Sequence, residues 1–167
     1  MAASPSHEGR KALPVELTPN GTYGAKMPRG GPRLLMRAGM QVVSALFRLR
    51  GLRVVTLTTV GSKTGEERSA DLLSVMDGPD IWIVAASSAG SARHPAWYVN
   101  MAKNPDRIWL KDGSRRVRVD ANNLKGEERA EAYSRLVAIY KGYAGYVQKT
   151  DREIPVVRLS AIGPASS

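Results

Sequence analysis

Two Asp-Gly pairs, Asp77-Gly78 and Asp112-Gly113, each fall between short apolar runs. They constrain this chain more than any other feature. Asp-Gly adopts the positive-φ turns whose twist matches an antiparallel two-stranded ribbon. The first pair, with Pro79 and Asp80, separates Arg68–Met76 (RSADLLSVM) from Ile81–Ala86 (IWIVAA). The second separates Arg107–Lys111 (RIWLK) from Ser114–Asp120 (SRRVRVD). In that last run Val117 and Val119 alternate with Arg116, Arg118 and Asp120, so one face is wet. Leu52–Thr59 (LRVVTLTT) is rich in β-branched residues and adds a strand before the hairpins. Ile154–Leu159 (IPVVRL) adds one after them, and Pro155 marks either a sheet edge or the start of the strand.

Helical signals interrupt this pattern. Pro95–Lys103 opens with a proline suited to a first turn and stops before Asn104-Pro105. A second helix starts near Gly126-Glu127-Glu128, whose acids suit a helix N-terminus. It carries Tyr133, Leu136, Val137 and Tyr140 on one face, and Gly142 and Gly145 weaken its end. A third helix, residues 33–50, is amphipathic. Arg33, Arg37, Gln41, Ser44 and Arg48 form one stripe, the rest of the circle is apolar, and Gly51 is a plausible stop. The expected fold is mainly β with helices (α+β), about six strands and three helices, in a small closed or split barrel. No βαβ alternation supports a Rossmann fold. Three segments follow: 1–32 as a leader broken by Pro and Gly, flexible or lying along the surface, 33–50 as the amphipathic helix, and 51–167 as the barrel domain. The leader has no long apolar stretch of the secretory-signal type.

The chain has no cysteine and two histidines, His7 and His94. Disulfides, thiol nucleophiles, iron–sulfur clusters and Cys-based zinc sites are therefore excluded. Phosphate-loop, dinucleotide-fingerprint and nucleophile-elbow motifs are absent. Chemistry must come from hydroxyls, carboxylates, backbone groups or a borrowed cofactor. The net charge is +10, which points to an anionic partner: nucleic acid, a membrane surface or a polyanionic small molecule. Simple dispersal in solution is the plainer reading. Residues 33–50 carry four of the cations (Arg33, Arg37, Arg48, Arg50) and no acid. Their apolar face either packs on the core or lies in a membrane interface with arginines toward anionic lipid. Nucleic acid is disfavoured, because no recognition helix or aromatic–basic strand face occurs.

Four segments are chemical candidates, each with an ordinary structural alternative. Gly61-Ser62-Lys63-Thr64-Gly65-Glu66-Glu67-Arg68 could gather Lys63, Thr64, Arg68 and backbone amides on a phosphate or carboxylate, or be a polar hairpin loop. Ala85-Ala86-Ser87-Ser88 ends a buried strand in small residues that let a flat ligand approach, or is a loop. His94–Asn100, with Trp97 and Tyr98, covers a pocket or fills the core. Tyr140, Tyr143 and Tyr146 line a mouth over a planar substrate, or are packing at a helix end.

Together these segments resemble one family, the deazaflavin (coenzyme F420)-dependent nitroreductases and F420H2-dependent quinone reductases. The resemblance runs from about Leu52 to Leu159. It rests on TxGxKTGxxR at Thr59–Arg68, the strand ending AAS, Pro95-x-Trp97-Tyr98, Asn104-Pro105, GEER at Gly126–Arg129, the tyrosine run Tyr140–Tyr146, and TDR-x-IPV at Thr150–Val156. It implies a split β-barrel of the FMN-binding-like type. It also implies hydride transfer from reduced F420 to a quinone or an activated nitroaromatic; the alternative is a non-catalytic barrel that binds F420, FMN or a fatty acid. F420 carries a flat deazaflavin, a phosphodiester and an oligoglutamate tail. By motif position Lys63, Thr64 and Arg68 meet the phosphate and tail, and Leu72, Ala85, Ala86, Ser88 and Trp97 border the cofactor. Ser87 sits near the reactive ring, and Ser87, Tyr140, Tyr143 and Tyr146 face the substrate, with Ser87, Tyr140 and Tyr143 as the candidate hydrogen-bond donors in catalysis. No metal is implied. Ser62 and Asp71 depart from the usual pattern, where Arg and Pro are common. The resemblance implies a cytoplasmic protein of actinobacterial type with peripheral membrane contact through 33–50. Monomer and homodimer both remain open.

Overall fold

The computed structural model describes residues 15–26 and 33–164. Seven strands form one antiparallel sheet: β1 (Val54–Val60), β2 (Glu67–Leu73), β3 (Val75–Met76), β4 (Ile81–Ala85), β5 (Ile108–Asp112), β6 (Arg115–Asn123) and β7 (Val156–Pro164). Four α-helices accompany them: α1 (Arg33–Leu49), α2 (Ala96–Lys103), α3 (Gly126–Ile139) and α4 (Gly142–Lys149). The strand order is β2-β1-β5-β6-β7-β4-β3. The expected single strand 68–76 is two strands, β2 and β3, broken at Ser74, which explains seven strands rather than six. These two strands end the order on opposite sides, yet only Ser74 separates them in the chain. The sheet must therefore curl until its edges meet at that residue. No ladder between β2 and β3 closes it.

Both Asp-Gly hairpins form. Asp112 pairs with Arg115 across Gly113-Ser114. Val75 and Met76 pair with Ile83 and Trp82 across the first turn. Each turn aspartate also serves a second structure. Asp112 Oδ2 accepts from the Trp82 indole at 2.9 Å and from Arg53 at 2.5 Å. Asp77 accepts from Arg135 of α3 at 2.8 Å and from Arg158 Nε of β7 at 3.0 Å. One half-buried carboxylate thus pins a turn, a helix and a strand. Strand β7 is not an edge; it lies between β6 and β4, and Pro155 immediately precedes it, where no ladder bond is lost.

Alternation divides the apolar residues between two cores. Val55, Leu57, Trp82, Val84, Ile108, Leu110, Val117, Val119 and Leu159 pack with Trp97, Tyr98 and Met101 of α2 inside the curl. Val54, Leu73, Ile83, Ala85 and Val156 pack with Leu136 of α3 and Tyr143 of α4 on the other face. Strand β4 is buried on both sides, which accounts for its unbroken apolar run.

Helix α1 ends at Gly51 in a Schellman cap, with Gly51 N–H on Arg48 O at 3.0 Å and Leu52 N–H on Phe47 O at 3.0 Å. Of the apolar side chains described on it, Phe47 packs against the outer core. Ser44 is buried, Phe47 half-buried, and Arg48 reaches Asp71 at 3.6 Å. Leu35, Met40, Val42, Val43, Leu46 and Leu49 are exposed. Where it is described, the leader lies along the surface of the body. Residues 15–26 form a strap over the body. Val15 enters the inner core. Gly21 N–H donates to Ala92 O at 2.8 Å, and Ala25 N–H to Gly90 O at 2.9 Å. Thr22 binds Asp151 through both its N–H and its hydroxyl, at 2.8 and 2.6 Å. The remainder of 1–32 lies outside the described residues.

Because Asp77 joins three elements, Asp77→Ala is expected to lower stability by about 2 kcal/mol, the scale of lost hydrogen bonds to charged groups. Urea unfolding at pH 7 checks it, with the midpoint falling and the slope unchanged.

Candidate active site

Helix α2 is the spacer around which the candidate residues are arranged. Its eight residues span about 12 Å. At its C-terminal half, buried Asn100 accepts from Ser62 N–H at 3.1 Å through Oδ1 and donates to Thr59 Oγ1 at 3.3 Å through Nδ2. One turn on, Asn104 donates to Val60 O at 3.1 Å. These two amides fix the β1–β2 turn to the helix. The turn itself closes by Gly61 N–H to Glu66 O at 2.7 Å and Gly65 N–H to Gly61 O at 2.8 Å. Lys63, Thr64 and Arg68 project from it, all exposed. Arg68 meets Glu66 at 2.7 Å, both well exposed, and Lys63 has no ion pair among the described residues.

At the N-terminal end of α2 lies the segment 86–94. Ser87 and Ser88 are half-buried, and a short 3₁₀ turn spans Ser88–Gly90. Ser88 (φ 45°) and Ala89 (φ 50°) hold left-handed conformations that cost energy outside glycine. Gly90 (φ 79°) approaches α4 so closely that a Cβ there would stand 2.9 Å from Lys149 Cβ and 3.0 Å from Tyr146 O. The serine loop therefore abuts the helix that bears two of the three tyrosines.

The tyrosine run is split between two helices, at the glycines that weaken it in sequence. Tyr140 leaves helical geometry (φ −147°, ψ 104°) between α3 and α4. Its ring folds over Gly142, where a Cβ would meet it at 2.3 Å. The rings then form a chain: Phe47–Tyr140 at 5.3 Å, Tyr140–Tyr143 at 5.7 Å, Tyr143–Tyr146 at 5.7 Å, and Tyr133–Tyr143 at 6.1 Å. Edge contacts of this kind are favourable for aromatic quadrupoles. Burial pushes the Tyr143 phenol well above its ordinary range. Burial first, then the neighbouring Tyr140 hydroxyl, pushes Tyr146 up to about 12. Both phenols are protonated at neutral pH and are available as donors.

The structure joins some candidates and separates others. Ser87 and Ser88 lie by α4. Ala85 faces the outer core with Tyr143 and, at its border, Tyr140 and Tyr146. Ala86, Trp97 and Leu72 belong to the inner core, where Ala86 and Trp97 are buried and Leu72 half-buried. Asp71 is not an unbalanced acid: Thr56 donates to it at 2.7 Å and Arg48 stands 3.6 Å away. Two organising residues were not singled out from the sequence. Asn100 carries no periodic signal. Arg152, inside the TDR-x-IPV run, is buried with its Nη1 3.0 Å from Ala86 O, its Nη2 2.9 Å from Ser87 O and its Nε 3.1 Å from Ser91 O. Its Nη1 also donates to His94 Nδ1 at 2.9 Å. A guanidinium only donates, so Nδ1 accepts and Nε2–H donates to Thr18 O at 2.7 Å. His94 is a structural link rather than a base. No cluster of three His, Cys, Asp or Glu suited to a metal occurs among the described residues.

The curled antiparallel sheet thus carries a basic turn at one end of α2 and a serine–tyrosine cluster at the other. A sequence profile described as F420H(2)-dependent quinone reductase matches residues 29–160, and the chain belongs to that family. An F420H(2)-dependent quinone reductase of Mycobacterium tuberculosis is 30% identical over 146 residues, 84% of this chain and 81% of that protein. A solved F420-H2 dependent reductase is 36% identical, with a TM-score of 0.57 over 64% of this chain and 93% of that one. A solved domain-swapped dimer is 31% identical, with a TM-score of 0.58 over 78% of this chain and 100% of that one. The chain is thus an oxidoreductase whose hydride donor is reduced F420, and the catalytic reading stands over the carrier reading. The donor set suits that cofactor: exposed cations for an acidic tail, small residues at a strand end, and phenols held neutral.

His94 titrates below the usual histidine value, first through burial and also through the Arg152 charge, with the Thr18 carbonyl opposing. The unfolded chain therefore binds more protons between about pH 6.5 and the folded value. Stability is complete above that window and is lost as pH falls through it. The melting temperature is expected to drop further between pH 7.5 and 5.5 in the native chain than in His94→Gln, where carboxylate titrations are shared and cancel.

Proposed function

We propose that the chain binds F420 along α2 and reduces a quinone at the tyrosine cluster. The observation that carries this reading is the double attachment of α2. Asn100 and Asn104 hold the Lys63–Thr64–Arg68 turn at one end, and the Ser87–Ser88 loop and α4 stand at the other. In this reading Lys63, Thr64 and Arg68 hold the anionic phosphate and tail. Ala85 and Ser88 shape the wall on the tyrosine side of the ring, and Leu72, Ala86 and Trp97 back it from the inner core. Bound in its reduced form, F420 supplies the hydride. Ser87 and the hydroxyls of Tyr140 and Tyr143 donate hydrogen bonds where negative charge develops on the quinone oxygen. Tyr146 narrows the mouth and keeps water out. The frame beneath is a split barrel of the FMN-binding-like type, its two edges meeting at Ser74.

The same reading gives α1 a task. Its exposed row of Leu35, Val42, Leu46 and Leu49 is larger than isolated surface hydrophobics require. Arg50 lies beside it, and no acid occurs in 33–50. Such a surface suits an anionic lipid interface, where lipid-soluble quinones reside. No described helix is long and apolar enough to cross a membrane.

Titration of oxidised F420, followed by fluorescence, is expected to give tight binding that weakens about tenfold in Lys63→Ala and again in Arg68→Ala, the scale of one charge-assisted hydrogen bond. Menadione added with reduced F420 is expected to restore the oxidised signal. Ser87→Ala is expected to lower kcat by about tenfold to a hundredfold. Binding without turnover across quinones and nitroaromatics would sink the reading. For α1, the full chain is expected to co-sediment with anionic vesicles and Leu46→Glu/Leu49→Glu to remain in the supernatant.

A further inference from the structure

Arg152 is a buried cation whose four partners, the carbonyls of Ala86, Ser87 and Ser91 and the Nδ1 of His94, are all neutral. It is 4% exposed and has no ion pair among the described residues. The flanking acids are engaged elsewhere: Asp151 with Thr22 and Glu153 with Arg129. Burying a cation without a counter-charge is costly. A loop could be anchored more cheaply by apolar contact or by an amide, as Asn100 anchors the β1–β2 turn.

What the guanidinium offers is a planar fork that fixes several acceptors in one geometry. Here it closes both ends of the strained segment 86–91 on one group, with Ser88 and Ala89 held left-handed between them. Two successive carbonyls, of Ala86 and Ser87, turn toward it, so the peptide planes on both sides of Ser87 are fixed. The Ser87 hydroxyl makes no hydrogen bond among the described residues. The backbone on which it is carried is thereby set. The strap adds a second layer, since Thr18 holds His94 and His94 holds Arg152.

We propose that Arg152 is a positioning residue for Ser87, aiming its hydroxyl at the reacting acceptor by fixing the 86–91 loop. This rests on the donor role given to Ser87 above. Arg152 touches neither cofactor nor quinone, and its effect on the reaction passes through Ser87.

A double-mutant cycle on the full chain tests this. Arg152→Lys keeps the charge and loses the fork. It is expected to bind oxidised F420 within about twofold of the native affinity and to lower kcat for menadione about tenfold with little change in KM, as a misplaced donor does. In a Ser87→Ala background the same exchange is expected to change kcat by less than about twofold, because residues acting through one another are not additive. An undiminished tenfold loss in that background overturns the inference alone. So does a fall in F420 affinity in step with the fall in kcat, which marks general damage to the fold. Native kcat in Ser87→Ala overturns the donor role of Ser87 and this inference together. Should Arg152→Lys fail to fold, His94→Ala removes one acceptor and leaves the three carbonyl bonds. It goes through the same cycle with an expected loss of about threefold that also vanishes without the Ser87 hydroxyl.

Discussion

One covalent constraint shapes the molecule: β2 and β3 stand at opposite ends of the strand order and are joined through Ser74 alone. A flat sheet cannot satisfy that join. The curl it imposes gives the sheet an inside and an outside, and each needs its own apolar filling. Helix α2 fills the inside; α3 and α4 cover the outside. Because α2 sits in the concavity, its two asparagines can reach the β1–β2 turn while its other end meets the 86–94 segment. The spacing of the candidate site therefore follows from how the sheet is closed, not from any single loop.

Much of this could be read from residues in order. The hairpins followed from Asp-Gly between apolar runs, and the buried strand from IWIVAA. The family followed from a set of short motifs, each weak, in the right sequence. What escaped was carried by contacts between distant residues. The motif residues Arg129 and Arg152 look like charged surface positions. They are instead clasps on carbonyls, Arg129 on Ile154 O at 2.6 Å and Arg152 on the serine loop. The strap 15–26 is rich in turn-formers and reads as loose, yet its order comes from partners 70 to 130 positions away. Helix α1 was open for another reason. Amphipathicity says that one face is apolar, not which face meets the protein, and here Ser44, Phe47 and Arg48 meet it.

The site also shows how a chain without cysteine, and with one histidine already committed to the strap, can serve redox chemistry. The hard step is delegated to the hydride donor. In the proposed site the protein contributes cations at one end and hydroxyls at the other. Burial keeps Tyr143 and Tyr146 protonated, so they can stabilise charge without adding more of the same sign. The Asp71 carboxylate, a departure from the family pattern, is tied to Thr56 and faced by Arg48. That contact couples the cofactor-side strand to the helix with the exposed apolar row.

The position of β7 has a consequence for the chain during its synthesis. It is made after every other described element, yet it is the seam between β6 and β4. Without it the sheet falls into two ribbons with no ladder between them, β2-β1-β5-β6 and β4-β3, joined by the chain at Ser74. Arg152 and the loop it clasps lie just before that seam. A nascent chain can form its hairpins early, since their contacts are local. It cannot assemble the two cores or the serine loop until residues 156–164 have left the ribosome. Completion of the fold and completion of the site are thus a single late event, with two open sheet edges exposed to other nascent chains until it occurs.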